Sequence, residues 1–197
     1  MSLVRATLMI TMLALAACST APKTSQLGEY LDDATGTTVW HLPEPAVYAR
    51  ERPMLAANAR DYVSLAPIEL SSAGRREDLL WLWTWSTIDR RDARDEPDTS
   101  TVILVVDGEP MELRRVRPRT LGRWPYAAPV NGGQMALFPL SPSQALRLST
   151  AARTRVVIPE GNSAGEYRLW HDASDGFRAF AGLIEARAPR AAKVTDD

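Results

Sequence analysis

The chain is predicted to be all-β: a single β-sandwich of about eight to ten mostly antiparallel strands with one or two short helices. Three observations predict this. Short runs rich in Val, Ile, Trp, Tyr and Thr are separated by clusters of Gly, Pro, Asp and Asn, the spacing of sandwich and barrel proteins. One run, Asp78 to Asp89, places Trp81, Trp83 and Trp85 at every second residue, and side chains two apart share one face of a strand. Asp107-Gly108 joins two further runs and supplies the positive φ angles of a tight hairpin turn. A small closed barrel is the rival arrangement of the same strands, and it would differ in function because a barrel can hold a ligand.

The amino terminus lies outside that domain. Met1 to Arg5 carries one positive charge, Leu8 to Ala17 is an apolar run, and Cys18-Ser19-Thr20-Ala21-Pro22-Lys23 follows. This is the three-part pattern of a secretory signal. The apolar run is too short for a spanning helix, which needs about twenty residues. Its end, Leu15-Ala16-Ala17-Cys18, resembles the lipobox of bacterial lipoproteins. The resemblance implies that residues 1–17 are removed, that Cys18 is the lipid attachment site carrying diacylglyceryl and acyl (palmitate) chains, and that the membrane is a partner through this anchor. Ser19 in place of Asp after the cysteine implies the outer membrane, on its periplasmic side. Two or more acyl chains suffice for stable anchoring.

Cys18 is the single cysteine of the chain, so the fold stands without disulfides on its hydrophobic core. Arg5 is the one charge in the removed part, and its loss takes the formal charge from −1 to −2. That balance argues against nucleic acid as a partner. Residues 18–37 are small and polar and read as the lipidated terminus and a flexible tether.

The domain is expected over 38–186. Thr37 to Leu42 is the first strand, punctuated by Pro43 and Pro45; Val47 to Arg50 is the next, and Pro53 to Ala59 fits one helical turn. Asp61 to Leu70 alternates loosely and contains Pro67, which cannot donate a ladder hydrogen bond and so implies an edge or a bulge. Asp78 to Asp89 is the strongest strand. The mixed charges of 89–98 read as a solvated loop. Thr101 to Val106 and Glu109 to Arg114 form the hairpin, and the first of these is apolar on both faces, as in a central strand covered on both sides. Gln134 to Leu140 is a strand. Ser141-Pro142-Ser143-Gln144 resembles a capping box with proline at the first helical position, so a short helix is expected from Pro142 to about Thr150. Arg153 to Ile158, Glu166 to His171 and Phe177 to Glu185 complete the strands, and 187–197 is expected to be a disordered tail.

Two groups are candidate binding sites. The tryptophan row is read first as core, since each indole can bury roughly 150–250 Å². The inverted reading turns Leu80, Leu82 and Ile88 inward and leaves the indoles as a platform for sugar rings or an apolar partner surface. Arg114, Arg115, Arg117 and Arg119, with Arg123, crowd around Pro118. Guanidinium forks suit phosphate oxygens of a lipid headgroup, while the plainer expectation pairs them with the acidic loop 89–98.

Catalytic patterns fail on inspection. Gly161-Asn162-Ser163-Ala164-Gly165 matches Gly-x-Ser-x-Gly in letters, but a strand rather than a helix follows and the chain reads as all-β, while the nucleophile elbow belongs to a strand–turn–helix on an α/β sheet. The two histidines, His41 and His171, have no metal-ligand spacing. Asp172 to Gly176 lacks the third acid of a calcium loop. No cofactor, metal or enzymatic activity is expected. The expected role is binding or structural, toward an envelope protein, a glycan or a lipid headgroup. An apolar-ligand carrier is the alternative, and a hydrolase acting on envelope polymers is the third reading. The domain from Thr38 to Glu185 resembles no family.

Overall fold

A computed structural model describes residues 27–88, 97–117, 119–128, 133–160 and 163–187. Its longest feature is a pair of strands, β4 (Arg60–Ser72) and β5 (Arg75–Ser86), joined through Ala73 and Gly74 at φ 49° and 75°. These positive φ values twist the chain into a hairpin whose register runs unbroken from Ser72↔Arg75 to Asp61↔Ser86. Around it lie β1 (Gly28–Asp32), β2 (Thr37–His41), β3 (Ala46–Glu51), β6 (Thr101–Val106), β7 (Glu109–Arg114), β8 (Gln134–Pro139), β9 (Thr154–Glu160) and β10 (Ser163–His171), with helices α1 (Pro142–Thr150) and α2 (Ser174–Arg187). All ten strands belong to one sheet and every pairing is antiparallel. The fold is all-β and sandwich-like, its layers being parts of one continuous sheet.

The path runs β1-β2-β4-β3-β10-β9-β6-β7, while β5 and then β8 extend from the other edge of β4. One edge of β4 serves two strands: β3 along Arg60–Leu65 and β2 along Ile68–Ser71. Pro67 stands in the gap between them, so the edge position its missing N–H demands occurs inside the sheet. The far ends of the path meet where the Val116 N–H donates to the Leu137 carbonyl at 2.8 Å. That bridge brings the segment after β7 onto β8 and curls the sheet round a shared core.

Register shows which side chains face that core. Val63 and Leu65 of β4, Leu80 and Leu82 of β5, Phe138 of β8, Leu104 of β6, Val156 and Ile158 of β9 and Tyr167 of β10 share the inner face, each at most 1% exposed. Phe177, Phe180 and Ile184 of α2 and Ala145 and Leu148 of α1 join the same cluster. At roughly 25 cal/mol per Å² of apolar surface buried, this core is what stabilises a chain that has no disulfide.

The outer face of β4, β5 and β8 is covered too. A strap over 115–128 crosses it, with Val116, Leu121, Trp124 and Tyr126 packed down. Tyr126 Oη–H donates to the Leu42 carbonyl (3.1 Å), Tyr30 Oη–H to the Arg123 carbonyl (2.6 Å) and the Gly122 N–H to Asp32 (3.0 Å). Asp61 to Leu70 is therefore buried without a break.

Several expectations are corrected. The strand covered on both sides is β4. In β6, a central strand between β7 and β9, Ile103 and Val105 are only half-buried. The tether expected over 18–37 ends by Gly28, because β1 pairs with β2 from Gly28↔His41 to Asp32↔Thr37. Pro53 to Ala59 forms turns, not a helical turn. Phe177 to Glu185 is helix, not strand: its buried Phe177, Phe180 and Ile184 recur at three and four residues. Arg187, assigned to the tail, closes that helix; residues 188–197 lie outside the described residues. The capping box holds, with the Ser141 N–H donating to Gln144 Oε1 (2.9 Å) and the Gln144 N–H to Ser141 Oγ (3.3 Å).

Candidate functional site

The tryptophan row lies on the outer face of β5. Leu80 and Leu82 fill the main core, as the inverted reading required, yet Trp81 is 1% exposed because the strap lies over it. Its ring sits 4.8 Å from Tyr126 and 6.2 Å from Trp83. Trp83 and Trp85 are half-buried. The row thus grades from core at Trp81 towards surface at Trp85. All three indole Nε1–H groups are buried without an acceptor; an orphaned buried donor costs roughly 1–3 kcal/mol, so the row is held by ring packing against that cost.

Beyond Trp85 the aromatic surface continues onto other strands. Tyr62 of β4 stacks on Trp85 at 4.0 Å and 12°. Trp170 of β10 meets Tyr62 edge-on at 6.3 Å and 82°. The Arg60 guanidinium covers the Trp170 ring at 4.8 Å. A hydrogen bond to Tyr62, then one to Glu51, raises the Arg60 pKa further above its ordinary value. Trp170 remains 58% exposed and Leu169 49%. The cause is local: the β10–β3 register shifts between Leu169 and His171, and a bulge re-aims the side chains beside it. An open groove of about 550 Å³ results, floored by Ala49 and walled by Glu51, Arg60, Glu166, Arg168 and Trp170. Sequence alternation placed Trp170 in a strand but could not show it standing out of one, since a bulge leaves no period to read.

The arginine cluster does not converge. Arg119 forms a two-pronged pair with Glu77 on β5. Arg114 pairs with Glu112 at 3.0 Å, and Arg115 reaches the Thr99 hydroxyl at 3.4 Å. Arg117 is exposed and lines two shallow grooves on either side of Val116, one with Arg115 and the other with Arg119 beside Glu77 and Asp78. The acids that hold Arg114 and Arg119 are thus Glu112 and Glu77. Residues 89–96 of the acidic loop, and Cys18, lie outside the described residues.

The carboxylate pair closest to an acid/base arrangement is Glu69 and Asp78, directly opposite each other on β4 and β5. The Glu69 side chain is 3% exposed and bound to Arg187 at 2.5 Å. Asp78 has its pKa raised by burial first and then by the Glu69 charge. Asp78 lines a groove with Glu77, Arg117 and Arg119, while Glu69 is buried against Arg187. His41 lies between Tyr30 and Tyr126, 5.8 Å from each, and His171 pairs with Glu44 at 3.3 Å. Ser163 sits at the mouth of the β9–β10 hairpin with its hydroxyl bonded to the Glu160 carbonyl. Among the described residues no group of three His, Cys, Asp or Glu could hold a metal, and no helix is long and apolar enough to cross a membrane.

No protein-family model, curated protein or solved structure matches the chain.

Proposed function

We propose that the chain is a lipid-anchored envelope lipoprotein whose β domain binds another envelope component, and that the Trp170 groove is the binding face. Trp170 carries this reading. Its ring is exposed, yet Tyr62 and Arg60 fix its orientation, so a partner would find an aromatic anchor already ordered. Trp and Arg are the residues most often found to carry binding energy, and ordering them beforehand lowers the entropic cost of association. The anchor rests on Leu15-Ala16-Ala17-Cys18 and on the short apolar run before it. A catalytic role finds less support, because Glu69, the partner Asp78 would need, is buried and held by Arg187.

Two measurements test the two halves. Globomycin, which blocks the lipoprotein signal peptidase, should leave a longer precursor; unchanged mobility would overturn the anchor. A photo-crosslinking side chain at position 169, beside Trp170 in the groove, should capture an envelope component in living cells, and an empty result would overturn the binding face.

A further inference from the structure

Resting on the binding role assigned to this groove, we infer that its ligand is a saccharide carrying a single carboxylate. The shape comes first. The groove is about 550 Å³, room for one or two sugar rings. Its apolar content is Trp170 and Leu169 above the small floor of Ala49, and the rest is guanidinium and carboxylate. A protein partner would need roughly 800 Å² on each side around an apolar centre. A sugar needs the reverse: one flat aromatic face for its C–H side and a rim of donors and acceptors for its hydroxyls. Arg60 and Arg168 supply donors; Glu51 and Glu166 supply acceptors.

The charge follows from the ion pairs around the groove. Arg50 is matched by Glu160 and Arg60 by Glu51, but Arg155 and Arg168 share Glu166. Four guanidiniums face three carboxylates, so one positive charge is left over. It falls to Arg168, which holds Glu166 only through Nε at 3.4 Å and has a side chain 82% exposed. Its two Nη groups form a fork suited to a carboxylate. A phosphate monoester would bring nearly two negative charges at neutral pH against that single surplus.

The test uses the full mature lipidated protein in detergent, titrated by calorimetry with N-acetylglucosaminyl-N-acetylmuramic acid, with its neutral relative chitobiose and with a phosphorylated glucosamine disaccharide. The carboxylated disaccharide should bind at least about tenfold more tightly than the other two. Trp170→Ala should lose binding of every saccharide by about tenfold or more. Arg168→Gln should retain binding while removing the preference for the carboxylate. Equal affinity for chitobiose, a preference for the phosphate, or binding that Trp170→Ala leaves unchanged would each overturn the inference. So would the absence of any saccharide binding. Should the crosslinker at position 169 then capture a protein, the saccharide falls while the binding face stands; should it capture nothing, both fall. Trp170 is more than half exposed, and an unchanged urea midpoint in the variant confirms that the fold is intact.

Discussion

Arg187 ends a helix and neutralises a carboxylate within the core. Glu69, with its side chain 3% exposed, meets Arg187 at 2.5 Å, and the guanidinium also lies 4.6 Å over the Trp40 ring. Removing one partner of a buried pair strands the other charge, which costs about 3–5 kcal/mol. Arg187→Gln should therefore lower the urea-derived stability by about that amount, and adding Glu69→Gln should recover most of the loss, since two neutral amides leave no charge stranded. A single variant as stable as the parent would show that Glu69 finds another partner. Asp78, across the ladder from Glu69, is shifted in the opposite sense to Asp32, Asp98 and Glu166, whose pKa values are lowered. Burial and the Glu69 charge raise its pKa, while Arg76 and Arg187 oppose them. The folded chain thus holds this proton more tightly than the unfolded chain, and stability falls as pH rises from the ordinary 3.8 through the raised value. Asp78→Asn should raise the melting temperature at pH 7 and leave it unchanged well below 3.8. A gain of equal size at both pH values would mean packing, not charge, is responsible.

At the scale of elements, two glycines of α2 separate packing from propensity. A Cβ on Gly176 would lie 2.7 Å from the Leu42 side chain, and Leu42 is fully buried with no free volume to move into. A Cβ on Gly182 meets nothing within 4 Å. Gly182→Ala should stabilise by about 0.5–1 kcal/mol through helix propensity alone. Gly176→Ala should forfeit that gain and destabilise by about 1–3 kcal/mol from overpacking, both read by chemical denaturation. The same helix shows where the sequence was legible. The β6–β7 hairpin and α1 follow from local rules, Asp107-Gly108 at φ 51° and 92° and the Ser141–Gln144 box, and local rules need no partner. In α2 the apolar residues Phe177, Phe180 and Ile184 do carry the helical period, but the sequence reads Phe177 to Glu185 as a strand that completes a last pair with Glu166 to His171. Tertiary packing against Leu42 and the pair with Glu69 decided it. Strand β1 was hidden in residues that read as tether, because Tyr30 and Asp32 acquire their roles only when Arg123 and Gly122 arrive from the strap. The tryptophan row was legible as a row. Its burial was not, since the cover at Tyr126 lies more than forty residues along the chain and has no strand or helix pattern of its own. The groove was the least legible part, because it depends on a register shift in β10.

Taken whole, the molecule is one sheet wrapped round a core, with a second apolar layer under the strap, and the proposed anchor lies at the start of the chain. The two are close. Cys18 and Gly28, where β1 begins, are ten residues apart, and a fully extended chain spans at most about 3.3–3.6 Å per residue. An anchored Cys18 would therefore hold β1 within about 35 Å of the lipid surface. A ligand of the domain would then lie within that reach plus the width of the domain itself, which a wall glycan beside the membrane does and a distant soluble protein does not. Such an anchor would be part of recognition: tethering raises the effective concentration of domain and ligand for each other. Cys18→Ser removes the thiol that carries the lipid and, with one cysteine in the chain, leaves no other. Combined with an ordinary cleavable secretion signal in place of residues 1–17, it should move the protein from the membrane pellet to the soluble envelope fraction. The urea midpoint of the domain should not change, because the core contains no cysteine. Crosslinking from position 169 in cells should fall even though the isolated variant binds its ligand as before. Undiminished crosslinking by the released variant would show that the groove recognises its partner without help from the membrane, and persistence in the pellet would show that something other than Cys18 holds the chain there.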